Sequence, residues 1–118
     1  MTQVRIKRVY EVPSPQDGYR VLVDRLWPRG MKREKLKYDY WAKEVTPSKD
    51  LRKWFHADVD QRWGAFADIY QKELENSDAV QTFINRIKAE PMVTLLYASR
   101  EPERNHANVL KQYLEAHL

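Results

Sequence analysis

Apolar and polar positions in this chain follow two periods, and the change from one to the other divides it into strands and helices. Val4 and Ile6 alternate with Arg5 and Lys7, the two-residue period of a half-buried strand. Tyr19 to Leu26 is more continuously apolar, as expected of an interior strand. Between them, Pro13-Ser14-Pro15-Gln16-Asp17-Gly18 is dense turn chemistry. Trp27-Pro28-Arg29-Gly30 suits a type I turn, with Pro second and Gly fourth. Residues 31–37 read as loop or short helix, and 37–45 stays open between strand and helix.

From Thr46 the period becomes helical. Thr46 is placed to cap a helix with Pro47 at its first position, carrying Leu51, Trp54 and Phe55 inward. Asp58 or Asp60 caps the next helix, where Trp63, Phe66, Ala67, Tyr70 and Leu74 fall on one stripe. Trp54 and Trp63 therefore read as core. Asn76-Ser77 breaks the chain before a third stripe of Val80, Phe83, Ile84 and Ile87. Pro91 ends it, Met92 to Ala98 reads as a buried strand, and Ser99 to Glu103 as a polar loop. A last helix is expected from about Arg104 to His117, with Ala107, Leu110 and Leu114 inward. The pattern predicts one α/β domain over residues 1–118. Its sheet is mixed or mainly parallel and flanked by helices, with a C-terminal helix after the last strand.

Composition narrows the chemistry. At 118 residues the chain is long enough for a core without staples. Zero cysteines exclude disulfides, thiol nucleophiles and thiolate metal sites. The three histidines are scattered, so no metal or cofactor is expected. No apolar run approaches the roughly 20 residues of a membrane helix, and the expected location is cytoplasmic. The net charge of +4 is unevenly spread. Residues 1–56 hold 14 Lys/Arg against 7 Asp/Glu, while the remainder is net acidic. The excess peaks at Arg25, Arg29, Lys32, Arg33, Lys35 and Lys37, a cluster suited to phosphate-bearing partners or to simple solvation.

In open sheets of parallel strands, ligands bind at the carboxyl ends of strands. Two such ends carry chemistry here: Asp24-Arg25-Leu26-Trp27 and Ala98-Ser99-Arg100. If the strands are parallel neighbours, Arg25, Arg29, Arg100 and Asn105 converge on one rim beside a helix start. Arginines can grip a phosphate or carboxylate with paired N–H donors, or can pair with internal acids instead. Asp24 and His106 are the acid–base candidates should the site be catalytic. Trp27 is a candidate ligand platform, and His56 a candidate cap for a helix-end carbonyl. There is no glycine-rich phosphate loop, zinc-hydrolase motif or nucleophile elbow.

The octapeptide Val23-Asp-Arg-Leu-Trp-Pro-Arg-Gly30 resembles the hallmark of the DUF488 family in its short YeaO-like branch. Trp41-Ala-Lys43, Pro47-Ser48 and Leu51-Arg-Lys-Trp-Phe55 agree with it. So do Trp63, Phe66, Tyr70 and Glu73-Leu74, and Leu95-Leu-Tyr-Ala98 with Asn105, Ala107 and Val109-Leu110. The resemblance spans nearly the whole chain and implies a prokaryotic α/β domain. It marks Asp24, Arg25, Trp27, Pro28, Arg29, Gly30, Pro47, Ser48, Arg52, Trp54 and Asn105. Longer relatives carry Cys-His-Arg where this chain has Arg104-Asn105-His106. The short branch places a His at position 104 and a His-Asp pair at 57–58, so both histidines here are displaced. Arginine-centred binding of a small anionic ligand, phosphate- or nucleotide-like, is therefore the leading expectation. A nucleic-acid-binding module built on residues 25–37, or a non-catalytic interaction protein, is the alternative; oligomeric state is not fixed.

Overall fold

The computed structural model describes residues 1–118. Four strands form one sheet: β1 (Gln3–Arg8), β2 (Tyr19–Leu22), β3 (Tyr40–Trp41) and β4 (Met92–Tyr97), in the order β1-β4-β2-β3. Every pairing is parallel. The last strand in sequence is thus central in space, which explains its unbroken apolar run: Val93 to Tyr97 are all buried. Four helices follow as α1 (Lys49–His56), α2 (Val59–Glu75), α3 (Asp78–Ile87) and α4 (His106–His117). None is long and apolar enough to cross a membrane.

Strand alternation sorts the core into two layers. Val4, Val21, Val23, Val93, Leu95 and Tyr97 face the helices, which together with Ala42 and Val45 supply the rest of a 21-residue cluster. Leu22 and Leu96 point to the other face, where they meet Val9, Leu36, Trp27, Met31 and Trp41. No helical residue belongs to that second cluster, so loops cover the face opposite the helices.

A buried ionic knot anchors this loop side. Asp17 is fully buried and accepts from Arg5, Lys7 and Arg20, and from the Ser14 backbone N–H. Burial alone would raise its carboxyl. The Ser14 N–H and the cations Lys7, Arg5 and Arg20 outweigh that and hold it down at about 2. Gly18, at φ +65°, lets the chain pass against Met92, whose carbonyl oxygen lies 2.4 Å from where a Cβ would stand.

Local chemistry shifts several expected boundaries. Ser48, not Thr46, caps α1: its Oγ accepts from Leu51 N and donates to Glu73, whereas Thr46 Oγ1 donates to the Lys43 carbonyl. Asp58 and Ser77 cap α2 and α3. Asn105 caps α4, which therefore starts two residues later than expected. The tight turn is Pro28–Met31, closed by Met31 N to the Pro28 carbonyl at 3.3 Å, with Gly30 third at φ +78°. That is the type II signature, one residue on from the type I turn expected. Trp54 is not core. Leu51 and Phe55 take the inner face of α1, and Trp54 lies outside under the Arg62 guanidinium.

Candidate anion-binding site

The expected strand to Leu26 ends at Leu22, because Asp24 replaces the ladder with side-chain bonds. Val23 N still reaches the Leu96 carbonyl, but Asp24 Oδ2 accepts from Ala98 N at 3.0 Å. Trp41 Nε1 donates to the Asp24 carbonyl at 2.7 Å. His106 Nε2 donates to the Val23 carbonyl at 2.9 Å, with Asp24 Oδ1 3.0 Å away. That N–H serves the carbonyl, leaving Asp24 Oδ1 buried without a directed hydrogen bond. Asp24 thereby joins the ends of β2, β3 and β4 to the start of α4.

Trp27 fastens the next part of the loop. Its Nε1 donates to the Met31 carbonyl at 2.5 Å, and its ring meets Trp41 and Tyr38 edge-on. Arg33 stacks on it at 4.2 Å. Pro28 is buried beside it. With Asp24, Trp27 and Pro28 turned inward, Arg25, Leu26 and Arg29 are left exposed.

Those three residues line a cavity of about 380 Å³. Its other walls are Thr46-Pro47, the last turns of α1, the start of α2, and Ala98-Ser99, Glu101 and residues 104–106. Phe55 and Phe66 form its floor, stacked at 4.0 Å and almost wholly buried. Four arginines line it, and only Arg104 has a carboxylate partner, Asp60 at 2.7 Å. Arg25 and Arg29 have none. Arg52 donates its Nε–H to the Pro47 carbonyl at 3.2 Å, which aims the rest of its guanidinium without neutralising it. The two acids on the lining, Asp24 and Glu101, are engaged with backbone N–H groups. Positive charge therefore exceeds negative at this site, and the α4 N-terminus adds to it.

His56 also lines the cavity and makes no hydrogen bond, so it does not cap a carbonyl. Burial, then the neighbouring His106 and Arg52, hold its imidazole below the ordinary value of 6.5. Arg52 and His56 stand one helical turn apart, a spacing that puts both on one face of α1. The family resemblance marks Arg52, and this spacing was the available signal for His56; neither was among the expected site residues.

Asp24, Arg25, Trp27, Arg29, Asn105 and His106 are all brought to this one cavity. Arg100 is not: it is exposed on the loop outside the lining. Asn105 is buried and spends its amide on the wall itself, accepting from Asn108 N at 2.9 Å and donating to the Glu101 carbonyl at 2.7 Å. Lys32, Lys35 and Lys37 are exposed and lie outside the lining.

The model of the family described as "Inactive DUF488-N3 subclade" matches residues 3–118. An uncharacterised protein of Mycobacterium tuberculosis (strain H37Rv) is 43% identical over 113 residues, covering 96% of this chain and 94% of the relative. The uncharacterised YeaO protein of Escherichia coli K12 is 42% identical over 113 residues, covering 96% of this chain and 97% of the relative. No solved structure matches the chain.

Proposed function

This chain belongs to the DUF488 family, and from that premise we propose that it binds a small anionic, phosphate-like ligand in the cavity at the strand ends, without transforming it. One observation carries the reading: Arg25, Arg29 and Arg52 line the cavity with no carboxylate to neutralise them. Unpaired guanidiniums around a concave site are complementary to an oxyanion, which can take two parallel N–H bonds from each.

The acid–base candidates support binding over catalysis. Asp24 Oδ2 is committed to Ala98 N, and Oδ1 is buried beside His106 Nε2. That Nε2–H is directed at the Val23 carbonyl. Both side chains thus hold strand ends together and present no proton-transfer pair to the cavity through those atoms. The subclade's description as inactive is in keeping with this. The nucleic-acid alternative is less well supported, because Arg33 covers a face of Trp27 on which a base would stack. The cytosol is the compartment we expect for such a binder.

The test is thermal stability with inorganic phosphate and sulfate, in the parent and in Arg25→Ala/Arg29→Ala. A ligand at a hundred times its Kd adds about 2.7 kcal/mol of stability, a shift of several degrees. The parent is expected to show it and the double variant to lose it. No shift in the parent, or an equal shift in the variant, overturns the reading.

A further inference from the structure

Resting on that reading, we propose that the ligand is an amphiphilic anion. It is a phosphate monoester whose organic group is a small aromatic or branched hydrocarbon, and Leu26 closes against that group. Three observations converge on this class. The first is how the cavity divides its chemistry. Arg25 and Arg29 are exposed and so stand at the mouth, whereas Phe55 and Phe66 are buried at 4% and 1% exposure and make the floor, with Val59 beside them. An anion held at the mouth directs whatever it carries onto carbon.

The second is size. A cavity of about 380 Å³ falls within the range of small-molecule pockets, ~300–1,000 Å³, and a bare oxyanion leaves most of it empty. The deep part offers little to a polyhydroxylated group. The Asn105 amide is already bonded to Asn108 and Glu101, and the exposed lining is predominantly apolar. Hydroxyls laid against the Phe55 and Phe66 rings would lose water without gaining partners from them.

The third is Leu26. It is 73% exposed, lies between the two mouth arginines and lines the cavity. Its backbone is fixed on both sides, by the bonds of Asp24 and by Trp27 Nε1 to the Met31 carbonyl. A large aliphatic side chain held at the rim of an aromatic-floored cavity gains burial only when an apolar group enters beneath it. The two cations then read the phosphate while Leu26 and the phenylalanines read the organic group.

The full-length chain is titrated by calorimetry with inorganic phosphate, glycerol phosphate and phenyl phosphate, alongside Leu26→Ser. Phenyl phosphate should bind about tenfold tighter than glycerol phosphate, which carries an organic group of opposite polarity. Leu26→Ser should fold normally, since the side chain is exposed. It should weaken phenyl phosphate several-fold while leaving inorganic phosphate unchanged. Equal affinity for the two esters, or a variant that leaves phenyl phosphate untouched or weakens all three ligands alike, overturns the proposal while the anion site stands. If none of the three binds the parent, the anion reading falls and this proposal falls with it.

Discussion

Replacing Asp17 with Asn removes one charge from the buried knot and keeps its shape, so the ion pairing can be tested apart from the packing. Asp17 is fully buried, and of its cationic partners Arg20 is 8% and Lys7 16% exposed, against 41% for Arg5. The two buried cations carry the effect, and the Arg5 contact is screened by water. A carboxyl lowered from 3.8 to about 2 corresponds to about 2 kcal/mol of stability at neutral pH. Its sign follows from the direction of the shift. The contribution is complete above the unfolded value near 4 and is lost as pH falls from there through 2. At pH 7, Asp17→Asn should cost about 3 kcal/mol, because two poorly hydrated cations lose their counter-ion. For a chain of this size that lowers Tm by roughly 10 °C. Urea unfolding of parent and variant at pH 7, 4, 3 and 2 measures it. The gap should narrow steadily below pH 4, since a protonated Asp resembles Asn. A gap below 1 kcal/mol at pH 7, or one unchanged at pH 2, would refute the assignment of this knot as a net stabiliser.

Gly18→Ala should destabilise by about 2–4 kcal/mol, from the positive φ and the clash with the Met92 carbonyl. Gly64→Ala, in α2 with open space where the Cβ would go, should instead stabilise by roughly 0.5–1 kcal/mol; both are read by chemical denaturation. Tyr70→Phe removes the buried hydroxyl that donates to the Val45 carbonyl at 2.5 Å, and unfolding should show a loss of about 1–2 kcal/mol. Sulfate keeps its charge between pH 5 and 8, so its affinity reports the site alone. It should tighten as pH falls through the lowered value of His56, and His56→Ala should flatten that rise.

Periodicity made the helices legible because each buries one stripe, and caps such as Asp58 and Ser77 announce themselves next to such stripes. Strand order was beyond its reach. That β4 lies between β1 and β2 depends on how the whole chain wraps, and no local pattern records it. Trp54 was misplaced because an eight-residue helix has a narrow inner face, which Leu51 and Phe55 fill one turn apart. His56, and Arg52 although the resemblance marks it, were left out of the expected site for a related reason. They lie more than 20 residues from the octapeptide, and only folding brings α1 to the ends of β2 and β4.

The octapeptide itself divides into residues that hold and residues that present. Asp24, Trp27 and Pro28 are tied inward, and Gly30 supplies the positive φ that closes the turn. Arg25, Leu26 and Arg29 fall in the gaps and point outward with no internal partner. Folding alone explains the first set and not the second, since an exposed leucine between two unpaired arginines contributes little to stability. Fixing the backbone beneath free guanidiniums has a consequence for binding instead. Arginine carries large conformational entropy, and a loop already ordered by Asp24 and Trp27 leaves only the side chains to be immobilised when an anion arrives. Loosening the loop should therefore weaken anion binding even with every arginine in place. Trp27→Leu, which removes the bond to Met31 and the stack under Arg33, should lower sulfate affinity in a protein that still folds. Unchanged affinity would mean that the loop's order contributes nothing to the site.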